Sequence, residues 1–282
     1  MFPDDIAPSV PTPMPRRRAI TLMAGAAGLA VLAACADDSA ASSSTVGEIS
    51  VANTDGSTTT SAATRSTDAS TTSAATCNTP IPEETAGPYP GDGSNGPDVL
   101  ADPNVVRDDI TSSFGDYTGT AEGIPVTLHL TVLDRTKGCA PLTGGAVYLW
   151  HADRDGQYSM YTAAEANYLR GVGEADDTGT VSFRTIFPGC YDGRWPHMHF
   201  EVYPTLADAL AARNQLVTSQ LALPQDACEQ AYAADGYAAS ITALSHTSLS
   251  SDMVFRDGVD QQLATVTGDP SAGYTVELTL TV

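Results

Sequence analysis

Apolar and polar residues alternate with a period of two through much of the chain beyond residue 120. In "PVTLHLTVLD" Val126, Leu128, Leu130 and Val132 share one face. In "YTVELTLTV" Tyr274, Val276, Leu278, Leu280 and Val282 do the same. Such alternation marks strands with one buried face. "GAVYLWHA", "TVSFRTIF" and "HMHFEVY" predict further short strands, separated by turns rich in Gly, Pro and Asp. Only "LADALAARNQLVTSQ" and "QDACEQAYAA" predict helices. The expected class is mainly β: a β-sandwich of mostly antiparallel strands with one or two short helical insertions. No glycine-rich phosphate loop follows a strand, so no nucleotide cofactor is indicated.

The pattern is different upstream. Arg16, Arg17 and Arg18 precede an uncharged run, Ala19 to Ala34. That run is short for a membrane span, which takes about 20 apolar residues, and reads as a secretory signal over residues 1–34. The adjacent arginines resemble a twin-arginine export signal, which carries folded proteins. Leu32-Ala33-Ala34-Cys35 resembles a bacterial lipobox, which makes Cys35 the lipidated first residue of the mature protein. The expected location is therefore the cell envelope, with the protein lipid-anchored on the outer side of the cytoplasmic membrane. Residues 35–76 form the expected tether: from Ala36 to Thr76 about half the residues are Ser or Thr and none is aromatic. Such a stretch buries too little apolar surface to offset the entropy of ordering it. Residues 77–282 remain as one domain.

Charge narrows the function classes. Without residues 1–34 the net charge is −22, because three arginines and two aspartates leave with them. Nucleic acid is excluded as a partner, since phosphates need a basic footprint. Cys77, Cys139, Cys190 and Cys228 remain in the exported part, and an even number in an oxidising compartment suggests two disulfides. The expected pairing is Cys190–Cys228 with Cys77–Cys139, each tying an extension or insertion to a β-element.

Two of the five histidines sit one residue apart in "PGCYDGRWPHMHFEVY". On a strand, His197 and His199 face one side while Met198, Phe200 and Val202 face the other. Two neutral imidazoles on one face make a credible metal half-site. Glu201 shares that face and would complete a two-His-one-carboxylate ferrous centre. Phenols are the other candidates: Tyr191 in the Pro-Gly-Cys-Tyr turn and Tyr158 in "HADRDGQYSMY". Chain geometry leaves both sets open.

"VYLWHADRDGQYSMY", "NYLRG" and "TVSFRTIFPGCYDGRWPHMHFEVY" together resemble the intradiol ring-cleavage dioxygenases, in particular their exported branch. "ETAGPYP", within Glu83 to Pro90, resembles that family's N-terminal signature. The resemblance implies a non-haem Fe(III) held by Tyr158, Tyr191, His197 and His199. It further implies catalytic roles for Tyr191, which leaves the metal as a base, for Arg194, which stabilises negative charge on the ring, and for Gln220. The implied substrates are a small aromatic diol and O2, and the implied product is a cis,cis-muconate-type diacid. Asp192 and Gly193 follow the turn where the cytosolic members commonly have Pro-Trp, which opens the question of substrate preference.

The remaining histidines read as structural or exposed: His151 as a hydrogen-bonding residue, His129 on a polar strand face, and His246 in a Ser/Thr-rich loop. Tyr89 and Tyr161 are candidates for lining the pocket. Two alternatives stand beside the leading reading. One is the ferrous centre with Glu201; the other is a non-catalytic β-sandwich module whose histidine pair is incidental.

Overall fold

The computed structural model describes residues 79–191 and 193–282. The expected signal, Cys35, the tether, Cys77 and Asp192 lie outside the described residues. Nine strands follow one another: β1 (Pro125–Asp134), β2 (Ala140–Pro141), β3 (Ala146–Trp150), β4 (Arg170–Glu174), β5 (Thr180–Ile186), β6 (His197–Tyr203), β7 (Val217–Ala222), β8 (Thr265–Asp269) and β9 (Gly273–Thr281). They form two sheets. One runs β2-β1-β9-β8 with β5 also on β1, and the other runs β4-β3-β6-β7.

The strands with the clearest alternation behave as their pattern dictates. Val126, Leu128, Leu130 and Val132 of β1 and Tyr274, Val276, Leu278 and Leu280 of β9 are buried. They meet Val147, Leu149, Met198, Phe200, Val202 and Leu221 of the other sheet in one core cluster. The architecture is the expected β-sandwich, its core filled from the facing sides of the two sheets. Pairing is antiparallel except between β1 and β9, which run parallel from Val126↔Tyr274 to Leu133↔Thr281.

Helices depart from the sequence reading. Three short ones are present: α1 (Leu206–Leu210), α2 (Gln225–Tyr232) and α3 (Ala238–Leu244). The helix expected through "LADALAARNQLVTSQ" stops after its first turns, where Ala212 and Asn214 adopt left-handed φ of 46° and 57°. The remainder, Val217 onward, is strand β7, paired with β6 along its whole length. Tertiary pairing of β-branched Val217 and Thr218 overrides the helical propensity of the preceding alanines. Among the described residues no helix is long and apolar enough to cross a membrane.

The four-stranded sheet is covered on both faces. Its second face carries Tyr148, Trp150 and Tyr203 into a separate cluster with Val99, Leu100, Val105 and Tyr158. Residues 81–91 run along this face, with the Glu84 N–H donating to Thr218 O and the Val99 N–H to Gly91 O. A fully buried guanidinium, Arg170, fastens that segment down. It donates to the carbonyls of Tyr89, Pro90 and Ser159 and to the hydroxyls of Ser159 and Tyr148.

Candidate metal centre

Strand register assembles the site. His197 and His199 project from β6 onto the outer face, as their spacing predicts, while Met198, Phe200 and Val202 enter the core. Trp150 of β3 lies opposite His199, and Gln220 of β7 lies opposite it on the other side. The Trp150 and His199 rings stack with centroids 4.9 Å apart and planes 8° from parallel. Gly87 passes over the same imidazole. Its φ is +73°, and a side-chain carbon there would stand 3.3 Å from His199 Cε1, so this turn of "TAGPY" requires glycine.

Two tyrosines close over the histidines. Tyr158 ends the Asp153–Gln157 turn, and its own carbonyl accepts from the N–H groups of Tyr161, Thr162 and Ala163. Tyr191 is presented by the Pro-Gly-Cys-Tyr turn, anchored by Gly189 N–H on Asp153 O at 2.9 Å and by Cys190 N–H on Ser240 Oγ at 2.9 Å. Gly156 crosses directly beneath: a side-chain carbon there would stand 2.8 Å from Tyr191 Cβ.

The four side-chain tips converge. Tyr158 Oη lies 3.0 Å from Tyr191 Oη, 3.1 Å from His199 Nε2 and 3.5 Å from His197 Nε2. His197 Nε2 lies 3.2 Å from Tyr191 Oη and 3.1 Å from His199 Nε2. Protons cannot account for all these approaches. His197 Nδ1 sits 2.5 Å from the Trp195 carbonyl, which puts its proton there and turns the Nε2 lone pair inward. Two phenolic protons, and at most one from His199, must serve five contacts. A cation bound among these four side chains would resolve the surplus of lone pairs.

Burial has the same consequence. It pushes the Tyr158 phenol well above its ordinary pKa, with the neighbouring Tyr191 adding to the effect, and it raises Tyr191 too. It holds His197 and His199 well below the usual imidazole range, so both are neutral. Phenols in this setting keep their protons unless a strong positive charge stands beside them, and a bound metal supplies that charge. The donor set therefore fits a hard, highly charged metal ion.

Arg194 and Gln220 form the flank. Arg194 Nη2 donates to Gln220 Oε1 at 2.6 Å, and Gln220 Nε2 donates to Thr85 O at 2.8 Å. Arg194 Nε donates to Asp252 Oδ2 at 2.9 Å. Sequence reasoning did not mark Asp252, a lone carboxylate in a Ser-rich stretch more than fifty residues downstream. Tyr89 also reaches the site, its ring 4.9 Å from that of Tyr158 and 5.1 Å from that of Tyr161.

Other residues stay outside the cluster. Glu201 is buried, but its oxygens accept from Tyr203 Oη at 2.5 Å and Thr218 Oγ1 at 3.1 Å. Among the described residues no group of three or more His, Cys, Asp and Glu side chains converges as a metal site. His151 is buried and bonded to Ala152 O and Thr185 Oγ1. His129 is half-buried against Ser182 Oγ, and His246 is exposed. The expected Cys190–Cys228 bridge is absent. Both are free, buried thiols, each directed at a backbone carbonyl, Arg194 O for Cys190 and Leu223 O for Cys228. Cys139 is disulfide-bonded, and Cys77, its expected partner, lies outside the described residues.

Residues 95–228 match the dioxygenase family model Dioxygenase_C, and that span contains all four converging side chains with Arg194 and Gln220. The matched span, 134 of the 282 residues, is similar to the dioxygenases. Its fold is similar to an intradiol ring-cleavage dioxygenase from Tetranychus urticae, at 24% identity and a TM-score of 0.54 over 72% of this chain and 94% of that one. A second dioxygenase crystal structure aligns at 23% identity and a TM-score of 0.54, over 71% and 92% of the two chains. The dioxygenase domain of a carbohydrate-binding fusion from Streptomyces sp. SirexAA-E aligns at 23% identity and a TM-score of 0.46, over 72% and 98%. No curated protein matches the chain. The matched domain is that of a dioxygenase, an enzyme.

Proposed function

We propose that this dioxygenase binds Fe(III) through Tyr158, Tyr191, His197 and His199 and opens an ortho-dihydroxybenzene between its two hydroxyl-bearing carbons. The product is a cis,cis-muconate-type diacid that keeps both atoms of O2. The observation that carries this reading is the convergence of two phenolic oxygens and two imidazole nitrogens within 3.0–3.5 Å. Bound Fe(III) would supply the Lewis acidity and the electronic contact through which a catechol dianion becomes reactive towards O2.

The chain's own residues then divide the work. His197 and His199 are neutral and buried, and Trp195 O keeps His197 in the tautomer whose Nε2 lone pair turns inward. Tyr158 is fully enclosed. Tyr191 is the more accessible of the two phenols, and its Oη is the atom placed to take a proton from an entering catechol. Arg194 has Nε and Nη2 occupied, and Nη1 donates no hydrogen bond among the described residues. Its fixed charge is available where negative charge builds on the ring.

Purified protein should contain stoichiometric iron and show a broad visible band from phenolate-to-Fe(III) charge transfer that shifts when catechol is added. Colourless protein that is active only with Fe(II) would overturn the ferric assignment. From the sequence we also propose that the enzyme acts outside the cytoplasmic membrane, held there by lipid on Cys35.

A further inference from the structure

We infer that Asp252 is a positioning residue for Arg194, a role that rests on the function proposed above. Arg194 sits on the turn before β6, with its side chain 12% exposed. A long side chain there loses several rotatable bonds' worth of freedom when held in one pose, so something has to hold it. Gln220 grips one end through Nη2. The other grip is Asp252, whose side chain has no exposure at all and whose Oδ2 receives Arg194 Nε at 2.9 Å. Held at Nε and Nη2, the planar guanidinium cannot rotate, and Nη1 is left unpartnered among the described residues.

Asp252 is itself built in. Its Oδ2 also receives the Trp195 N–H at 2.6 Å, and its Oδ1 receives the N–H groups of Val254 at 2.7 Å and Phe255 at 3.3 Å. Burial alone would oppose the charge. The Trp195 and Val254 amides and the Arg194 guanidinium outweigh it, and the carboxyl stays below its ordinary pKa. A carboxylate with this many donors is charged whenever Arg194 is needed. Nearby, Gln262 donates to Gln220 O and to Glu84 Oε1, and the Phe255 ring meets His197 edge-on at 6.3 Å. The stretch around Asp252 thus forms one wall of the site. It lies beyond the residues matched by the family model, which end at 228.

The mechanism of positioning predicts a specific energetic pattern. If Asp252 acts only by aiming Arg194, its loss should cost nothing once Arg194 is gone. In Asp252→Asn, the amide cannot accept from Arg194 Nε while its oxygen still serves the Val254 and Phe255 amides. Trp195 remains held by its indole N–H on Leu223 O at 2.8 Å. The iron-loaded wild type, Asp252→Asn, Arg194→Met and the double variant would be compared with catechol as probe, per bound iron. Asp252→Asn should lower kcat about 10- to 100-fold with little change in KM, and the double variant should be no slower than Arg194→Met. A double variant slowed by the product of the two single effects, or Asp252→Asn turning over like wild type, would overturn the role.

The protein carries a second readout that needs no turnover. The Arg194 Nε–H should give a resolved NMR signal that exchanges slowly with water, and in Asp252→Asn that signal should be lost. A rapidly exchanging Nε–H in the wild type sinks the clamp whatever the kinetics say. Failure of the underlying reading looks different. Catechol left untouched by iron-loaded wild type removes the reaction, and the positioning role with it, while the slow Nε–H persists.

Discussion

Gln220 stands directly across from His199 on the adjacent antiparallel strand, and that one register pair carries its amide to Arg194, 2.6 Å away. The amide is fully committed, since Oε1 accepts from Arg194 and Nε2 donates to Thr85 O. Gln220→Leu removes both bonds from a buried position. Turnover of catechol should fall about 10- to 100-fold at unchanged iron content, the range seen when residues behind a metal site are lost. Gln220→Glu keeps an acceptor for Arg194 and should fall less. Steady-state kinetics with iron analysis on both variants checks the order.

The phenol and the carboxylate make opposite predictions. Tyr158→Phe deletes an atom at the centre of the cluster, so the visible band should vanish or move strongly and activity should drop about 100-fold or more. Glu201→Gln changes a group that bonds Tyr203 and Thr218 and leaves the band in place. Absorption spectra of the two variants decide between the ferric phenolate centre and the ferrous carboxylate one. Bleaching by Glu201→Gln alone would reverse the assignment.

His151 gives the fold an acid sensitivity. Burial lowers its pKa from 6.5 to about 4. The folded value is the depressed one, so as pH falls the unfolded chain takes up the proton first. Stability from this group is complete above the unfolded pKa near 6.5 and is lost as pH drops towards 4, by about 3 kcal/mol in all. His151→Gln has no proton to gain. Thermal melts from pH 7 to 4 should show the wild type losing more Tm than the variant over that window.

Thiol chemistry tests the cysteines. Cys190 and Cys228 are buried, and burial pushes the Cys190 thiol up to about 12 and Cys228 well above its ordinary value. Neither supplies thiolate in the native state. A thiol reagent should find no reactive group in native mature protein and two after denaturation without reductant. Zero in both states would restore the bridge expected from the sequence.

Export and anchoring are open to a direct assay. Wild-type protein should partition into the detergent phase of envelope extracts, and Cys35→Ser should abolish that partition or stall processing. Recovery of unmodified wild-type protein in the aqueous phase would remove the lipid.

What could be read in the sequence was what repeats locally. Period-two alternation located five of the nine strands, and His197-Met198-His199 announced its own sidedness, because strand geometry leaves no choice. Long-range partners left no local trace. Nothing near Arg194 in the sequence points to its carboxylate, Asp252, which is brought in by the path of a distant loop. Arg170 sits in a short motif that says nothing of five acceptors gathered from three segments. β7 was taken for helix because alanine propensity dominates its lead-in, and only pairing with β6 settles the matter. Cysteine parity suggested bridges, but packing buries Cys190 and Cys228 as hydrophobic residues instead.

The parallel pairing of β1 with β9 has a consequence for how the chain reaches this state. Parallel neighbours need a long crossover, and here residues about 150 positions apart must meet before β1 is flanked on both sides. Until then Val126, Leu128, Leu130 and Val132 present an apolar strand with an open edge, the kind of surface that recruits other chains. Contacts this distant in sequence favour slow folding. Proteolytic nicking ahead of Gly273 would not trim a tail but take out the middle of a sheet, and quality control would see the loss at once.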